Sequence, residues 1–159
     1  MRAFSDKLKT QTIVYFSGGV TAVLHDLRSS TIDIDMIFEP DTHAGYQAIH
    51  DLKEDLNMNL EIAAPHHFIP EIPQWRERRL LIEQHRAVAF YHYDLHSQII
   101  AKIQRGYDQD LADARGLLTL IREPEVLIEL LTSIREDFIR FPTLEFDALK
   151  TKVETFLHA

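Results

Sequence analysis

The chain has 159 residues and no cysteine. Disulfides, thiolate nucleophiles and zinc–thiolate sites are thereby excluded. Glycine and proline are scarce, at five and six residues, and no internal repeat or low-complexity segment is visible. No apolar run approaches the roughly 18 residues needed to cross a bilayer. The N-terminal MRAFSDKLKTQ has no apolar stretch behind its basic residues, unlike a secretory signal. A cytoplasmic protein with no membrane partner is the simplest expectation. Basic charge is in deficit as well. The formal net charge is −8, which argues against unspecific duplex binding through a broad basic surface. An anion site would have to be built locally, from a few particular lysines and arginines.

What is present suits a folded domain. Apolar residues make up 45% and charged residues 26%, enough for one compact domain, or one domain with a small helical appendage. Thr12–Ser17 is β-branched and aromatic and reads as a strand, which Gly18-Gly19 ends. Residues 20–27 read as a short helix. Residues 31–38 alternate apolar and acidic residues as far as Asp35, then turn wholly apolar. That pattern fits a strand with one end at a polar site and the other in the core. A helix over 44–56 and a strand over 59–64 follow. The stretch from Pro65 to Trp75 holds three prolines and reads as an irregular loop. Short strands are expected at 80–82 and 87–91, with a turn near 83–85.

From Asp94 the character changes to helices. Asp94 is an N-cap candidate for a helix through Arg105, and Gly106 its stop. Asp108 suits the cap of a second helix, to about Ile121. Two more are expected at 125–139 and 143–157, with Pro124 and Pro142 near their starts, where proline is tolerated. The fold class is therefore mixed α/β (α+β), with residues 1–93 as the core. Residues 94–159 form a helical part expected to pack on it as one unit.

The sharpest chemical feature is Asp33-Ile34-Asp35. Residues i and i+2 of a strand point to one face, roughly 7 Å apart at Cα. Two carboxylates so placed repel each other and need a cation, a shared proton or full solvation. Hard oxygen ligands of this kind suit Mg2+ or Mn2+. Ser17-Gly18-Gly19, between a strand and a helix, is a turn whose backbone N–H groups can approach an anion closely. An anion-accepting turn followed by a metal-binding strand is a layout for phosphoryl chemistry.

The run FSGGVTAVLHDLRSSTIDIDMIF resembles the signature of the polymerase-β-like nucleotidyltransferases, in which a Gly-Gly or Gly-Ser turn precedes Asp-x-Asp. Within that superfamily it is most similar to the bacterial group containing the abortive-infection-type toxins, through Gly18, Gly19, Thr21, Ala22, Arg28, Ser30, Asp33 and Asp35. Arg28 lies one residue further from the acids than in those toxins, which matches better a related set of uncharacterised bacterial proteins. A second segment, Lys102-Ile103-Gln104-Arg105 followed by Asp110-Leu111-Ala112-Asp113, also resembles the family. The likeness spans about residues 14 to 118.

The resemblance implies a nucleotidyltransferase fold with Mg2+ or Mn2+ as cofactor and an NTP as substrate. Asp33, Asp35 and, as the candidate third acid, Glu61 would be catalytic and hold the metal. Ser17, Gly18, Gly19, Lys102 and Arg105 would take the phosphates, with Lys102 as a point charge on a helix surface. Arg28, Asp110 and Asp113 would support them. The acceptor would be an RNA end, a protein or a small molecule, and the setting a toxin–antitoxin pair. The competing reading is a non-catalytic binding module of the same fold, such as an antitoxin or regulatory partner. Asp110 and Asp113 have a structural alternative as partners of Lys102 and Arg105. His92 with His96 is a weak zinc candidate. The His66-His67 pair suits a solvated loop. Trp75 suits a core edge better than a base-stacking platform.

Overall fold

The computed structural model describes residues 1–159. The chain divides into two compact units, residues 1–64 with 79–93, and residues 65–78 with 94–159. The segment 65–78, which the sequence boundary at 93/94 keeps with the core, belongs to the second unit.

The first unit is a five-stranded mixed sheet with helices. Its strands are β1 (Thr12–Ser17), β2 (Asp33–Glu39), β3 (Asn59–Ile62), β4 (Leu80–His85) and β5 (Val88–His92), and its helices α1 (Arg2–Lys7), α2 (Gly18–Leu24) and α3 (His43–Leu56). The strand order is β3-β2-β1-β5-β4. β1 runs antiparallel to β2 and parallel to β5, and β2 runs parallel to β3. One face of the sheet is apolar. Val14, Phe16, Met36, Phe38, Leu60, Val88 and Phe90 meet Phe4 and Leu8 of the N-terminal segment and Ala48, Ile49 and Leu52 of α3 in one buried cluster. The alternation along β2 and β3 then forces residues 33, 35, 59 and 61 onto the opposite face.

Several boundaries shift from expectation for identifiable reasons. α1 has no side-chain cap and is only six residues long; its signal is the four-residue spacing of Phe4 and Leu8, both buried. β4 extends to His85, and the hairpin turns at Arg86 and Ala87 instead of at 83–85, because a bulge between Leu81 and Glu83 inserts a residue. Arg86 takes φ +53, a position where the sequence offers no glycine or asparagine to mark it.

The second unit is helical. α4 (Leu95–Arg105), α5 (Asp108–Leu118), α6 (Val126–Ser133) and α7 (Phe146–His158) follow two 3-10 turns, Pro65–His67 and Trp75–Arg78. Asp94 caps α4 by accepting from the N–H of His96 and Ser97, and Gly106, at φ +73, ends it. α5 begins at Asp108 itself, with Tyr107 in the capping position. Asp108 and Asp110 thus lie in its first turn, where they complement the helix dipole. α6 stops well before 139. Thr132 and Ser133 donate back to the carbonyls of Ile128 and Leu130, both at 2.7 Å, competing with the helical ladder, and a 3-10 turn over Arg135–Arg140 follows. α4 touches α5, α6 and α7, and Ile99, Ile100, Ile103, Leu117, Leu127, Leu131 and Val153 are buried. No helix is long and apolar enough to cross a membrane.

α3 lies close on the sheet at Gly45. A Cβ there would meet the Phe38 ring at 2.2 Å. Alanine would gain about 1 kcal/mol of helix propensity, but overpacking costs about 1–3 kcal/mol and wins. Gly45→Ala is therefore expected to lower stability in urea unfolding, and Phe38→Leu in the same chain to recover part of the loss.

Candidate functional site

The polar end of the first unit is assembled by strand register. Ser17, the last residue of β1, lies opposite Asp35. On the other side of β2, Asp33 pairs with Asn59 and Asp35 with Glu61. Asp33, Asp35, Asn59, Glu61 and Ser17 therefore share one face of three adjacent strands. Asp33 and Asp35 are half-buried, Glu61 and Asn59 exposed, and Ser17 buried. The Asn59 amide donates to Asp33 Oδ1 and, at 2.9 Å, to Glu61 Oε1. Ser17 Oγ donates to the carbonyl of Ala63, just past β3, at 3.2 Å.

The two glycines have separate reasons. Gly18 takes φ +64, and a Cβ on it would lie 2.0 Å from Asp35 Oδ2. Only a residue without a side chain lets the carboxylate reach the turn. At Gly19 a Cβ would lie 2.3 Å from Thr31 Oγ1 and 3.1 Å from an Arg28 guanidinium nitrogen. The Arg28 charge is thus brought against the Gly-Gly turn. α2 is seven residues long, and its glycines serve above all to bring Asp35 and Arg28 close to the backbone.

No group of three or more His, Asp or Glu side chains is arranged to close on one ion. Mg2+ does not require such a cage, because it commonly takes one or two carboxylates and completes its shell with water and substrate phosphates. Asp33 and Asp35 offer that donor set on one face, and the space left by the absent Cβ of Gly18 keeps Asp35 there. The residues present fit a hard divalent cation.

Behind the turn lies a histidine pair that the sequence reading did not single out. His25 and His92 have ring centroids 4.4 Å apart. Thr21 Oγ1 donates to the Phe16 carbonyl at 3.3 Å, so His92 Nδ1, 3.2 Å from the same hydroxyl, is the donor to it. Burial, and then the neighbouring His25, lower the His92 pKa to about 4. Burial lowers that of His25 too, with Asp26 opposing.

Lys102, Arg105, Asp110 and Asp113 belong to the second unit, and there they form one ion cluster. Lys102 Nζ lies 2.8 Å from Asp113 Oδ2 and 3.4 Å from Asp110 Oδ1, while Arg105 Nε lies 3.1 Å from Asp110 Oδ2. Lys102 is 5% exposed, so it is a buried partner and not a point charge on the helix surface. Three residues apart on α4, the two cations have different surroundings. The Arg105 side chain keeps 39% exposure, with the Phe68 and Tyr107 rings beside it.

Trp75 is 1% exposed, inside the second unit, with Arg76 over its ring. His92 ends β5, whereas His96 Nδ1 is 3.0 Å from Asp94 Oδ1. Asp94 also accepts from Arg78 and Ser97. Burial pushes its carboxyl up, but the bonds from His96, Arg78 and Ser97 outweigh that and hold it below the ordinary carboxylate range.

A family model described as a nucleotidyltransferase of unknown function (DUF6036) matches residues 1–152. No curated protein and no solved structure matches the chain.

Two outcomes are expected. Lys102→Ala strips the counter-charge from two buried aspartates and should cost about 3–5 kcal/mol in urea unfolding, with Asp113→Asn in the same chain recovering part of it. The second concerns acid. The unfolded chain binds a proton at His92 near pH 6.5, whereas the folded chain does so only near 4. This contribution is present above pH 6.5 and is lost as pH falls toward 4. Urea midpoints measured from pH 7 to 4.5 should fall less steeply in His92→Asn than in the wild type.

Proposed function

Since the chain belongs to the family of nucleotidyltransferases of unknown function matched over residues 1–152, we propose that it moves a nucleoside monophosphate from an NTP to an acceptor hydroxyl. Mg2+ or Mn2+ would be held by Asp33 and Asp35. The observation that carries this reading is the seating of the Asp35 carboxylate on the Gly18 turn, where a Cβ would come within 2.0 Å of Oδ2. It sets a carboxylate against backbone that can grip a phosphate.

In the proposed reaction the acceptor oxygen forms a bond to the α-phosphorus. The bond from that phosphorus to the oxygen bridging to the β-phosphate breaks, and pyrophosphate leaves with the electron pair. The acceptor proton passes to the Glu61 carboxylate, which stands opposite Asp35. A divalent cation held by Asp33 and Asp35 would neutralise charge on the phosphate oxygens and polarise the phosphoryl group toward attack. Ser17, Gly18 and Gly19 hold the phosphates, and Arg28 brings a fixed positive charge to the same turn, as positioned cations do in phosphoryl transfer. Within the second unit, Arg105 keeps exposed surface that could meet a phosphate, and Lys102 supports it through the shared Asp110.

The acceptor classes are an RNA end, a protein hydroxyl and a small molecule. The net charge of −8 makes a long RNA the least suited of these. The likeness to abortive-infection-type toxins makes a toxin-like role within a two-protein pair the favoured setting.

The test is incubation of the chain with α-labelled NTPs, Mg2+ and cell extract. Label should move to one acceptor class, identified by its sensitivity to nuclease or protease. Asp35→Asn should reduce transfer on the order of 100-fold or more. NTP binding by the wild type with no transfer under any condition would favour the non-catalytic binding module instead.

A further inference from the structure

Asn59 lies outside every motif that draws attention to this site, yet its amide touches two of the three acids. Nδ2 carries two hydrogens. One goes to Asp33 Oδ1 across the strand pair and the other to Glu61 Oε1 two residues along β3. Ionised carboxylates only accept, so the nitrogen, and not the amide oxygen, must face them. Both donors of one nitrogen are thus committed to both neighbouring acids.

The arrangement follows from parallel register. Asp33 pairs with Asn59 and Asp35 with Glu61, so the four side chains occupy the corners of one patch on a single sheet face. Three of these corners are acids that repel one another. A neutral amide in the fourth corner offers hydrogen bonds without adding charge. It engages one oxygen of each acid it touches and leaves the second oxygen of each carboxylate for another ligand. Asparagine is poor strand material, and this one is exposed on β3, so packing does not explain its presence there.

Resting on the proposed metal site, we infer that Asn59 is a positioning residue. Its amide holds Asp33 and Glu61 in one orientation, so that a divalent cation meets carboxylates already aligned. Hydrogen bonds to ligating carboxylates are worth about 10–100-fold in metal affinity.

Mn2+ binding to the full chain, followed by calorimetry and by the electron paramagnetic resonance signal of free Mn2+, tests this without any turnover. The variants are Asn59→Leu, which keeps the bulk and removes the donors, Asn59→Ala as a second form should leucine disturb the strand, and Asp35→Asn. The expected result is Mn2+ binding by the wild type, loss of it in Asp35→Asn, and affinity weakened about 10-fold or more in both Asn59 variants. Unchanged or tighter binding in the Asn59 variants, with Asp35→Asn still defective, overturns the positioning role and leaves the metal site standing. Absence of binding by the wild type, or wild-type affinity in Asp35→Asn, removes the metal site and the positioning role together.

Discussion

Asp35 and residue 18 approach so closely that a single methyl group between them would collide, its carbon 2.0 Å from Oδ2. This contact links three levels of the fold. β1 and β2 must be antiparallel neighbours with Ser17 opposite Asp35, the backbone after Ser17 must enter the left-handed region at once, and α2 must start without side chains in its first two positions. Each condition suits the others. A one-residue slip of β2 would put Ile34 and Met36 on the polar face and both aspartates in the apolar cluster, so the hydrophobic register that builds the core also aims the acids.

The two charge clusters of the molecule differ in kind. In the second unit two aspartates face one lysine and one arginine, the charges cancel, and burial is tolerable because each partner is matched. At the end of β2 and β3 a neutral amide joins two carboxylates of a three-acid patch. The Arg28 guanidinium stands near Gly19. Matched charges serve a fold. An acid-rich face held by a neutral donor keeps its acceptor oxygens in place without cancelling their charge.

Much of this was legible in the residues. β1 matches its expected bounds, the caps of α4 are Asp94 and Gly106 as expected, and the Asp33–Asp35 alternation gave strand and face together. These are short-range signals, read from neighbours two to four residues apart. What was hidden depends on distant partners. The burial of Lys102 required knowing that Asp113 comes within 2.8 Å of it. Asn59 gains its meaning only from a strand 26 residues earlier in the chain. Likewise the bulge that lengthens β4 depends on how that strand meets β5. The shortened α6 was different: Thr132 and Ser133 were visible, but their weak competition with the helix is decided by which rotamer they adopt.

The path of the chain carries one more consequence. Residues 65–78 leave the sheet unit before its last two strands and belong to the helical one, and residue 79 resumes the sheet. Each unit is therefore made of two separate stretches, and the chain changes unit three times. No single truncation can release either unit whole. β5, which lies in register beside the central strand β1, is contributed only after the excursion through 65–78. A ribosome emitting this chain delivers residues 65–78 of the helical unit before the sheet is complete, and its four helices only after the last strand. Exchange of either unit between related proteins would likewise need coordinated crossovers at several points, which binds the two stretches of each unit to a shared inheritance.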